Sequence, residues 1–368
     1  MSKTLSAFSP WSRHISKTVP SRRYFSETIS LRKTIPRLVA VAKEYTTREA
    51  FRTRSYDLQK PVVFGRDQGS PAANLPALEN WFTTDEDDPK YSTTQTQTEN
   101  SQQPLSRHFR RFRNPMVTYE IYAPTQGQKD SLVMFRDSLD RDVHDDAIVR
   151  NWDNCFSRED TVDDLHKGII NDTPKRDFYR FTAPLRLFNK IYHYNRVLRS
   201  MKLPIISAYI AQCPIGDLPR PLQDDLPTPQ IIKSVGKGDM YDSSIWLGIA
   251  PTYTPLHRDP NPNFFCQLFG TKIIRLMLPK AGDAFFGEMQ ARMHKTDNGR
   301  LRTEDMMQGE ERKNLHSAIW DDDKTPGGVF EVVLEPGDSM FIPSHYWHSV
   351  KSAGWAGEVN CSVNWWFR

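Results

Sequence analysis

The chain has 368 residues, of which 38% are hydrophobic, and this is enough for a buried core in one large domain or two average ones. No apolar run approaches the ~18 residues that a membrane-spanning helix needs, so the sequence predicts no membrane role. The formal net charge is +4, but residues 1–26 contain five basic residues and no acidic one, which leaves −1 for the rest. The chain after residue 26 therefore lacks the excess of basic residues that is typical of a nucleic-acid-binding protein.

Residues 1–25 have the composition of a mitochondrial transit peptide. They are basic, rich in serine and free of acidic residues, and they lack the continuous apolar core of a secretory signal. The stretch Arg23-Tyr24-Phe25-Ser26 resembles a matrix-processing site that is cut after Phe25. We therefore expect a location in the mitochondrial matrix; the alternative is a basic tail that is retained, in a nuclear or cytoplasmic protein.

The cysteines show neither the CxxC spacing of a zinc site nor the density of a disulfide scaffold. Their positions are Cys155, Cys213, Cys266 and Cys361. We expect four free thiols in a reducing compartment.

Residues 36–204 are predicted to form the N-terminal, mixed α/β part of the domain. The predicted elements are a polar helical stretch within 38–64 that leads into a strand at 60–64, a helix at 75–82, a strand at 116–122 and helices within 128–200. Residues 83–104 contain almost nothing apolar, so they cannot offset the entropy lost on ordering. This segment is predicted to be a flexible insertion.

From residue 205 the sequence changes to short apolar runs separated by Gly, Pro, Asn and Asp, which is typical of a β-sandwich or barrel. Strands are predicted at 205–212, 244–250, 264–269, 272–278, 329–334, 339–342, 348–351 and 359–367. The charged, helix-prone segment 281–326 is interpreted as an insertion between two strands. The predicted fold is mainly β with added helices: a double-stranded β-helix, or jelly roll, at 205–368, preceded by a helical N-terminal half.

His257 and Asp259 are two residues apart, and positions i and i+2 of an extended strand face the same side, so both can reach one ion. A third ligand from a distant strand completes two histidines and one carboxylate with open coordination sites, as in non-haem iron oxygenases. His348 fits this role, because a turn at 336–338 feeds a strand towards it. His345 is the competing histidine, and we expect it to lie beside the ligands or at the surface.

Several separated segments of 205–368 resemble the JmjC/cupin-like Fe(II)- and 2-oxoglutarate-dependent oxygenases, in particular the asparaginyl-hydroxylase-like JmjC hydroxylases. His257-Arg258-Asp259 is followed by Asn263-Phe264-Phe265, Gln267, Gly270 and Lys272 in the family's order and spacing. The later matching segments are Glu335-Pro336-Gly337-Asp338, Phe341-Ile342-Pro343, Trp347-His348 and Val363-Asn364-Trp365-Trp366. The resemblance implies Fe(II), 2-oxoglutarate and O₂, with ascorbate supporting activity.

By the same resemblance, Lys272 binds the distal carboxylate of 2-oxoglutarate, with help from the hydroxyls of Thr254 and Tyr209. The physical chemistry of Lys272 agrees, since a buried dicarboxylate needs a cation. Asn263 and Asn364 match amides that line the iron and co-substrate pocket. Tyr209 is equally well explained as a core tyrosine on a strand.

The resemblance implies hydroxylation, or demethylation where the attacked carbon is an N-methyl group. A protein side chain is the preferred substrate, because no zinc-binding Cys/His array supports a histone or protein lysine demethylase. A small-molecule hydroxylase and a non-catalytic cupin binding module are further alternatives. An RNA hydroxylase is another, since cations and aromatics alternate along 107–113, although a solvated basic segment explains these residues too.

The acidic residues and histidines of the insertion are interpreted as a solvated face. They are Asp283, Glu288, His294, Glu304 and His316. The chain ends at Arg368, without the C-terminal helices through which some relatives dimerise, so the oligomeric state is left open.

Overall fold

The computed structural model describes residues 35–41, 43–83, 104–139, 146–156, 176–295, 299 and 305–368. The predicted transit peptide at 1–25 lies outside these residues, as does nearly all of the predicted insertion at 83–104. Both stay predictions.

Antiparallel strands dominate the described chain. In order they are β1 (Val62–Phe64), β2 (Met116–Tyr122), β3 (Phe178–Pro184), β4 (Ala208–Pro214), β5 (Met240–Ile249), β6 (Tyr253–Arg258), β7 (Asn263–Phe269), β8 (Lys272–Met277), β9 (Val329–Leu334), β10 (Ser339–Ile342), β11 (Trp347–Ser352) and β12 (Val359–Phe367). The larger sheet has the order β1-β10-β7-β12-β5-β4-β2-β3 and the smaller one β6-β11-β8-β9. This topology confirms the predicted jelly-roll core with added helices.

Helices of ten or more residues flank the sheets. Among the described residues they are α1 (Gln126–Leu139), α2 (Asp146–Cys155), α3 (Arg186–Ser200), α4 (Pro279–Arg292) and α5 (Gly309–Trp320). Shorter helical segments lie at Lys43–Thr46, Arg48–Phe51, Arg52–Tyr56, Arg66–Gln68, Pro71–Asn74, Ala77–Asn80, Arg107–Arg110, Ile215–Asp217, Arg220–Asp224, Gln230–Lys233 and Asp305–Met307. In the described part of the chain, no helix combines the length and the apolar character needed to cross a bilayer.

The hydrophobic core is divided into layers by the two sheets. The outer face of the larger sheet packs against α1, α2 and α3, through residues such as Phe135, Trp152 and Phe188. A second cluster lies between the sheets. A third joins the outer face of the smaller sheet to α4 and α5, and Trp347 is its most enclosed aromatic, 1% exposed.

The eight strands predicted within 205–368 are all present, but two others were missed. β3 lies within 128–200, where the sequence predicted helices. β6, which carries His257, was not in the list of predicted strands, although the ligand argument assumed extended chain at His257; Pro255 lies within it. The structure explains this proline, since β6 is an edge strand, where a missing backbone N–H leaves no gap in the sheet. The four cysteines are free thiols, as expected.

The contact between α4 and β11 gives a first prediction. A Cβ added at Gly282 would lie 2.1 Å from Cδ1 of Trp347. Since Trp347 is buried and cannot move aside, Gly282→Ala should destabilise the protein by about 1–3 kcal/mol, the usual cost of overpacking. Gly287→Ala on the same helix is the matched control: its Cβ meets nothing within 4 Å, and alanine favours helix by about 0.5–1 kcal/mol. Urea unfolding of both variants checks this; equal stabilities would contradict it.

Candidate metal centre and co-substrate cavity

Two histidines face each other across neighbouring strands of the smaller sheet. β6 pairs with β11, and the register places His257 directly opposite His348, with ring centroids 4.2 Å apart. Asp259 follows the last residue of β6. The ligand atoms of these three residues all lie within 4.8 Å of one another, and they form a possible metal site. The three residues that the sequence predicted as ligands are therefore brought together.

Each imidazole is held in the orientation that a metal ligand needs. Nδ1 of His257 lies 2.8 Å from the carbonyl oxygen of Pro255, and Nδ1 of His348 lies 3.1 Å from that of Tyr346. A carbonyl can only accept, so both Nδ1 atoms carry a proton, and Nε2 is the nitrogen that each imidazole, once neutral, offers to a metal. Nε2 of His257 is 3.8 Å and Nε2 of His348 is 3.7 Å from the Asp259 carboxylate. These separations exceed a hydrogen bond and suit a shared ion between the three groups.

The Asp259 carboxylate is held by two hydrogen bonds to the same oxygen. Trp366 Nε1 donates to Oδ2 at 2.8 Å, and Asn263 Nδ2 donates at 3.0 Å. Burial acts to raise the pKa of Asp259, but the neighbouring His348 and His257 and the two donors outweigh it, and the pKa lies below its usual value. The group is therefore an anion, which is the form that binds a metal.

A row of polar groups continues from Asp259 across the larger sheet. Asn364 Nδ2 donates to Asn263 Oδ1 at 3.2 Å, and Trp246 Nε1 donates to Asn364 Oδ1 at 2.7 Å. Each amide oxygen accepts and each amide nitrogen donates, so the orientation of both asparagines is determined by the row. The two predicted amides therefore act on the metal site through the aspartate, which they hold in place.

Lys272 is a fully buried cation inside the barrel, 1% exposed. Its Nζ donates to Ser362 Oγ at 2.6 Å and lies 5.7 Å from the ring centroid of Tyr209 and 5.5 Å from that of Phe265. Burial lowers the pKa of Lys272 to about 7. A lysine with a hydroxyl and two rings around it is still poorly solvated, so an anionic ligand would gain strongly from binding there.

All eight predicted site residues line one cavity that opens to solvent. They are Tyr209, Thr254, His257, Asp259, Asn263, Lys272, His348 and Asn364. The cavity lining also includes Gln212, Trp246, Phe265, Val350 and Trp366, which the sequence did not single out. The structure thus shows that the predicted residues share a site, while their individual roles stay predictions.

Two irregularities in the sheets explain the cavity lining. Thr254 and His257 are three residues apart, and in a regular strand they would face opposite sides. The register of β6 and β11 shifts between His348 and Val350, and this bulge lets both side chains face the cavity. Gln212 similarly joins Tyr209 in the lining, through a positive φ of 54° and a register shift in β4.

Two residues near the site point away from it. His345 is exposed, with a φ of 64°, and its backbone N–H donates to the Asp259 carbonyl at 2.8 Å. Arg275, the other cation on β8, lies on the opposite face of the smaller sheet, where it pairs with Glu331 of β9 and with Asp322, which follows α5. Neither side chain lines the cavity.

Asp283 is exposed, as its interpretation as part of a solvated face predicts, but it also bonds two residues of the strands that carry the histidines. Its Oδ1 accepts from Arg258 Nη1 and, at 2.9 Å, from Trp347 Nε1. Arg258 lies between two ligands and Trp347 precedes the third, so Asp283 ties α4 to both metal-bearing strands. Its partners are 25 and 64 residues away along the chain, and no local sequence signal could have identified it.

Two further interpretations change with the structure. His316 departs from a solvated face, since it packs edge-on against Tyr253 with centroids 5.0 Å apart and burial lowers its pKa. In the basic segment 107–113, Phe109 is 2% exposed, and His108 bonds Asp225 at 2.8 Å. A surface that stacks bases needs exposed rings, so this segment gives little support to RNA binding.

A model of the cupin-like domain family matches residues 48–368. "Lysine-specific demethylase 8" of Danio rerio is 30% identical over 161 residues, 43% of this chain and 36% of that protein. "Lysine-specific demethylase JMJ30" of Arabidopsis thaliana is 28% identical over 180 residues, 49% of this chain and 38% of that protein. "JmjC domain-containing protein D" of Dictyostelium discoideum is 29% identical over 155 residues, 39% and 32% of the two chains. The chain thus matches well under half the length of these relatives.

The ligand assignment predicts opposite outcomes for two nearby histidines. His348→Ala removes a buried ligand, so binding of Co(II), a spectroscopic stand-in for Fe(II), should be lost or weakened at least tenfold. His345→Gly is the control, because glycine adopts the positive φ of this residue without strain. Its Co(II) affinity should be unchanged. Absorption titrations of both variants test the assignment, and equal losses would show that His345 is a ligand.

Proposed function

The chain belongs to the cupin-like domain family, and from that membership we propose that it is an Fe(II)- and 2-oxoglutarate-dependent oxygenase that hydroxylates a protein side chain. One observation carries the proposal: a possible two-histidine, one-carboxylate metal site shares its cavity with a buried lysine. The three converging acceptor atoms can coordinate a metal ion, and the lysine can pair with one end of a dicarboxylate. A fold-family likeness alone would not specify this pairing.

The donor set fits Fe(II) and 2-oxoglutarate on chemical grounds. Two imidazoles and one carboxylate suit a non-haem Fe(II) site with open positions. The hydrogen bonds from Trp366 and Asn263 both go to Oδ2 of Asp259, so Oδ1 can serve the metal. Lys272 is available for the far carboxylate, because its hydrogen-bond partner Ser362 is neutral.

When bound, Fe(II), 2-oxoglutarate and O₂ supply an oxidation that yields succinate and CO₂ and inserts one oxygen atom into a C–H bond of the substrate. His257, Asp259 and His348 would hold the metal, and their hydrogen bonds keep them in position before it binds. Lys272 and Ser362 would fix the far end of the co-substrate. The rings of Trp246 and Trp366 line the same cavity on the side of the larger sheet.

Demethylation of a methylated lysine is the second candidate function. Two of the matched relatives carry the name lysine-specific demethylase. In this chain, Trp246 and Trp366 line the cavity, and aromatic faces attract a methylated ammonium. Against it, Asp259 is the one carboxylate in the lining of this cavity, and we assign it to the metal. Hydroxylation of a neutral group needs no further anion.

Turnover of 2-oxoglutarate tests the proposed function. Purified protein with Fe(II), ascorbate and O₂ should convert 2-oxoglutarate to succinate, while His348→Ala should not. A cell extract then supplies candidate substrates, identified by mass spectrometry: hydroxylation adds one oxygen atom, whereas demethylation removes a methyl group and releases formaldehyde. Absence of succinate from the iron-loaded wild type, with and without extract, would reject the oxygenase and favour a binding module.

The pKa of Lys272 predicts how co-substrate affinity depends on pH. Burial lowers this pKa to about 7, and a bound carboxylate favours the charged ammonium. Below pH 7 the lysine is already charged; above it, binding must take up a proton. The affinity for 2-oxoglutarate should therefore fall as the pH rises above 7, by up to about tenfold per pH unit. Anaerobic titration of the Fe(II)-loaded protein, followed by its charge-transfer absorption, measures it.

Two substitutions of Lys272 provide the controls. Lys272→Arg stays charged throughout this range, so its affinity should lack the pH dependence of the wild type, whatever its absolute value. Lys272→Met leaves a carboxylate buried without a cation, and a loss of about 3–5 kcal/mol corresponds to at least two orders of magnitude in affinity. The same pH dependence in wild type and Lys272→Arg would assign the titration to another group.

A further inference from the structure

The metal ligands lie at one end of the ladder between β6 and β11. His257 and His348 form the last pair but one of this ladder, and Arg258 and Trp347 form the last. Asp259, the third ligand, follows the final residue of β6. Because the ends of strands open more easily than their centres, this end of the ladder needs support from outside the sheet.

The last pair of the ladder meets α4 on the outer face of the smaller sheet. Successive side chains of a strand point to opposite faces, so Arg258 and Trp347 face outward where the two histidines face the cavity. The guanidinium carbon of Arg258 lies 5.2 Å from the ring centroid of Trp347, which is 1% exposed. Phe286 of α4 packs on the same tryptophan, with centroids 4.6 Å apart. A helix therefore covers the pair that adjoins the ligands.

Asp283 of α4 joins the two strands through a single oxygen atom. Its Oδ1 accepts from Nη1 of Arg258 and, at 2.9 Å, from Nε1 of Trp347. One donor comes from each strand, and the charge of the guanidinium strengthens the first of the two bonds. The carboxylate therefore fixes the two strand ends relative to each other, immediately beside the metal ligands.

Two other exposed carboxylates provide comparisons within the same molecule. Glu288, also on α4, pairs with Arg292 of the same helix at 2.5 Å, and Asp322 pairs with Arg275 of β8 at 2.8 Å. The side chains of Asp283, Glu288 and Asp322 are 48%, 61% and 39% exposed, so water screens all three ion pairs and each contributes little to stability. Of the three, Asp283 is the one whose partners adjoin the ligands.

We propose that Asp283 is a positioning residue of the metal centre, which acts through Arg258 and Trp347 to hold the three ligands at the spacing of one ion. The proposal rests on the metal site of the proposed function, and it adds a residue of the insertion that does not line the cavity. Without this carboxylate the ligands must be ordered when the ion binds, and that ordering weakens binding. The contribution of Asp283 is therefore to metal affinity more than to stability.

Titration of the metal-free protein with Co(II), followed by its visible absorption bands, tests the proposal. Asp283→Ala should bind Co(II) about three- to tenfold more weakly than the wild type, a smaller loss than the about 10–100-fold typical of groups that bond a ligand directly. Its bands should also shift, because ligands at a looser spacing change the geometry around the ion. Asp283→Asn keeps an acceptor for Trp347 without the charge, and its affinity should lie between the two. Glu288→Ala and Asp322→Ala, the matched controls, should keep the affinity and the bands of the wild type.

A double-mutant cycle shows whether Asp283 acts through Arg258. If it does, Asp283→Ala should reduce the Co(II) affinity less in an Arg258→Met background than in the wild type. Wild-type affinity in Asp283→Ala, the same loss in Glu288→Ala and Asp322→Ala, or equal losses in the two backgrounds would overturn the proposal. A wild type that binds no Co(II) would overturn the proposed metal centre as well, whereas equal Co(II) binding by the wild type and Asp283→Ala would overturn this inference alone.

Discussion

The antiparallel pairing of β6 with β11 sets His257 opposite His348, and a slip of this register by one residue would turn an imidazole out of the cavity. An edge strand such as β6 has a partner on one side only, so its register needs support from elsewhere. α4 gives that support. Asp283 accepts from one residue on each strand, and Phe286 packs on Trp347 with centroids 4.6 Å apart. The insertion that seemed remote from the chemistry thus holds the ligand-bearing strands together.

The two buried cations of β8, Lys272 and Arg275, differ in the groups that surround their charge. Lys272 and Arg275 are three residues apart on β8, so strand periodicity places them on opposite faces. On the outer face, Arg275 meets Glu331 and Asp322, and the fold itself neutralises it. On the inner face, the contacts of Lys272 with the described residues are a hydroxyl and aromatic rings. Its pKa of about 7, against an ordinary value of 10.5, corresponds to roughly 5 kcal/mol of unfavourable burial for the charged form. A binding site for an anion explains why such a cost is tolerated.

Much of the site could be predicted because its signals are local or periodic. His257 and Asp259 are neighbours in sequence, and Lys272 opens an apolar strand. Strand periodicity could also have identified Ser362 and Trp366 as cavity residues. They alternate with the predicted Asn364 along β12, so all three side chains lie on the same face of the sheet. By contrast, the two bulges that bring Thr254 and Gln212 into the cavity depend on partner strands. Sequence patterns do not encode them, and the partners of Asp283 are equally distant along the chain.

The position of the cavity follows from how the two sheets share their inner faces. At one end of the barrel the inner residues are apolar, such as Leu334, Met340 and Ile342, and they close the space between the sheets. Towards the metal centre, polar side chains replace them: Ser362, Asn364 and Asn263 on the larger sheet face His257 and His348 on the smaller one. Polar groups at such depth must bond one another, and the row from Trp246 to Asp259 does so. The same hydrogen bonds that satisfy the buried polar groups therefore orient the aspartate, so the stability of this end of the barrel and the geometry of its metal site depend on a single network.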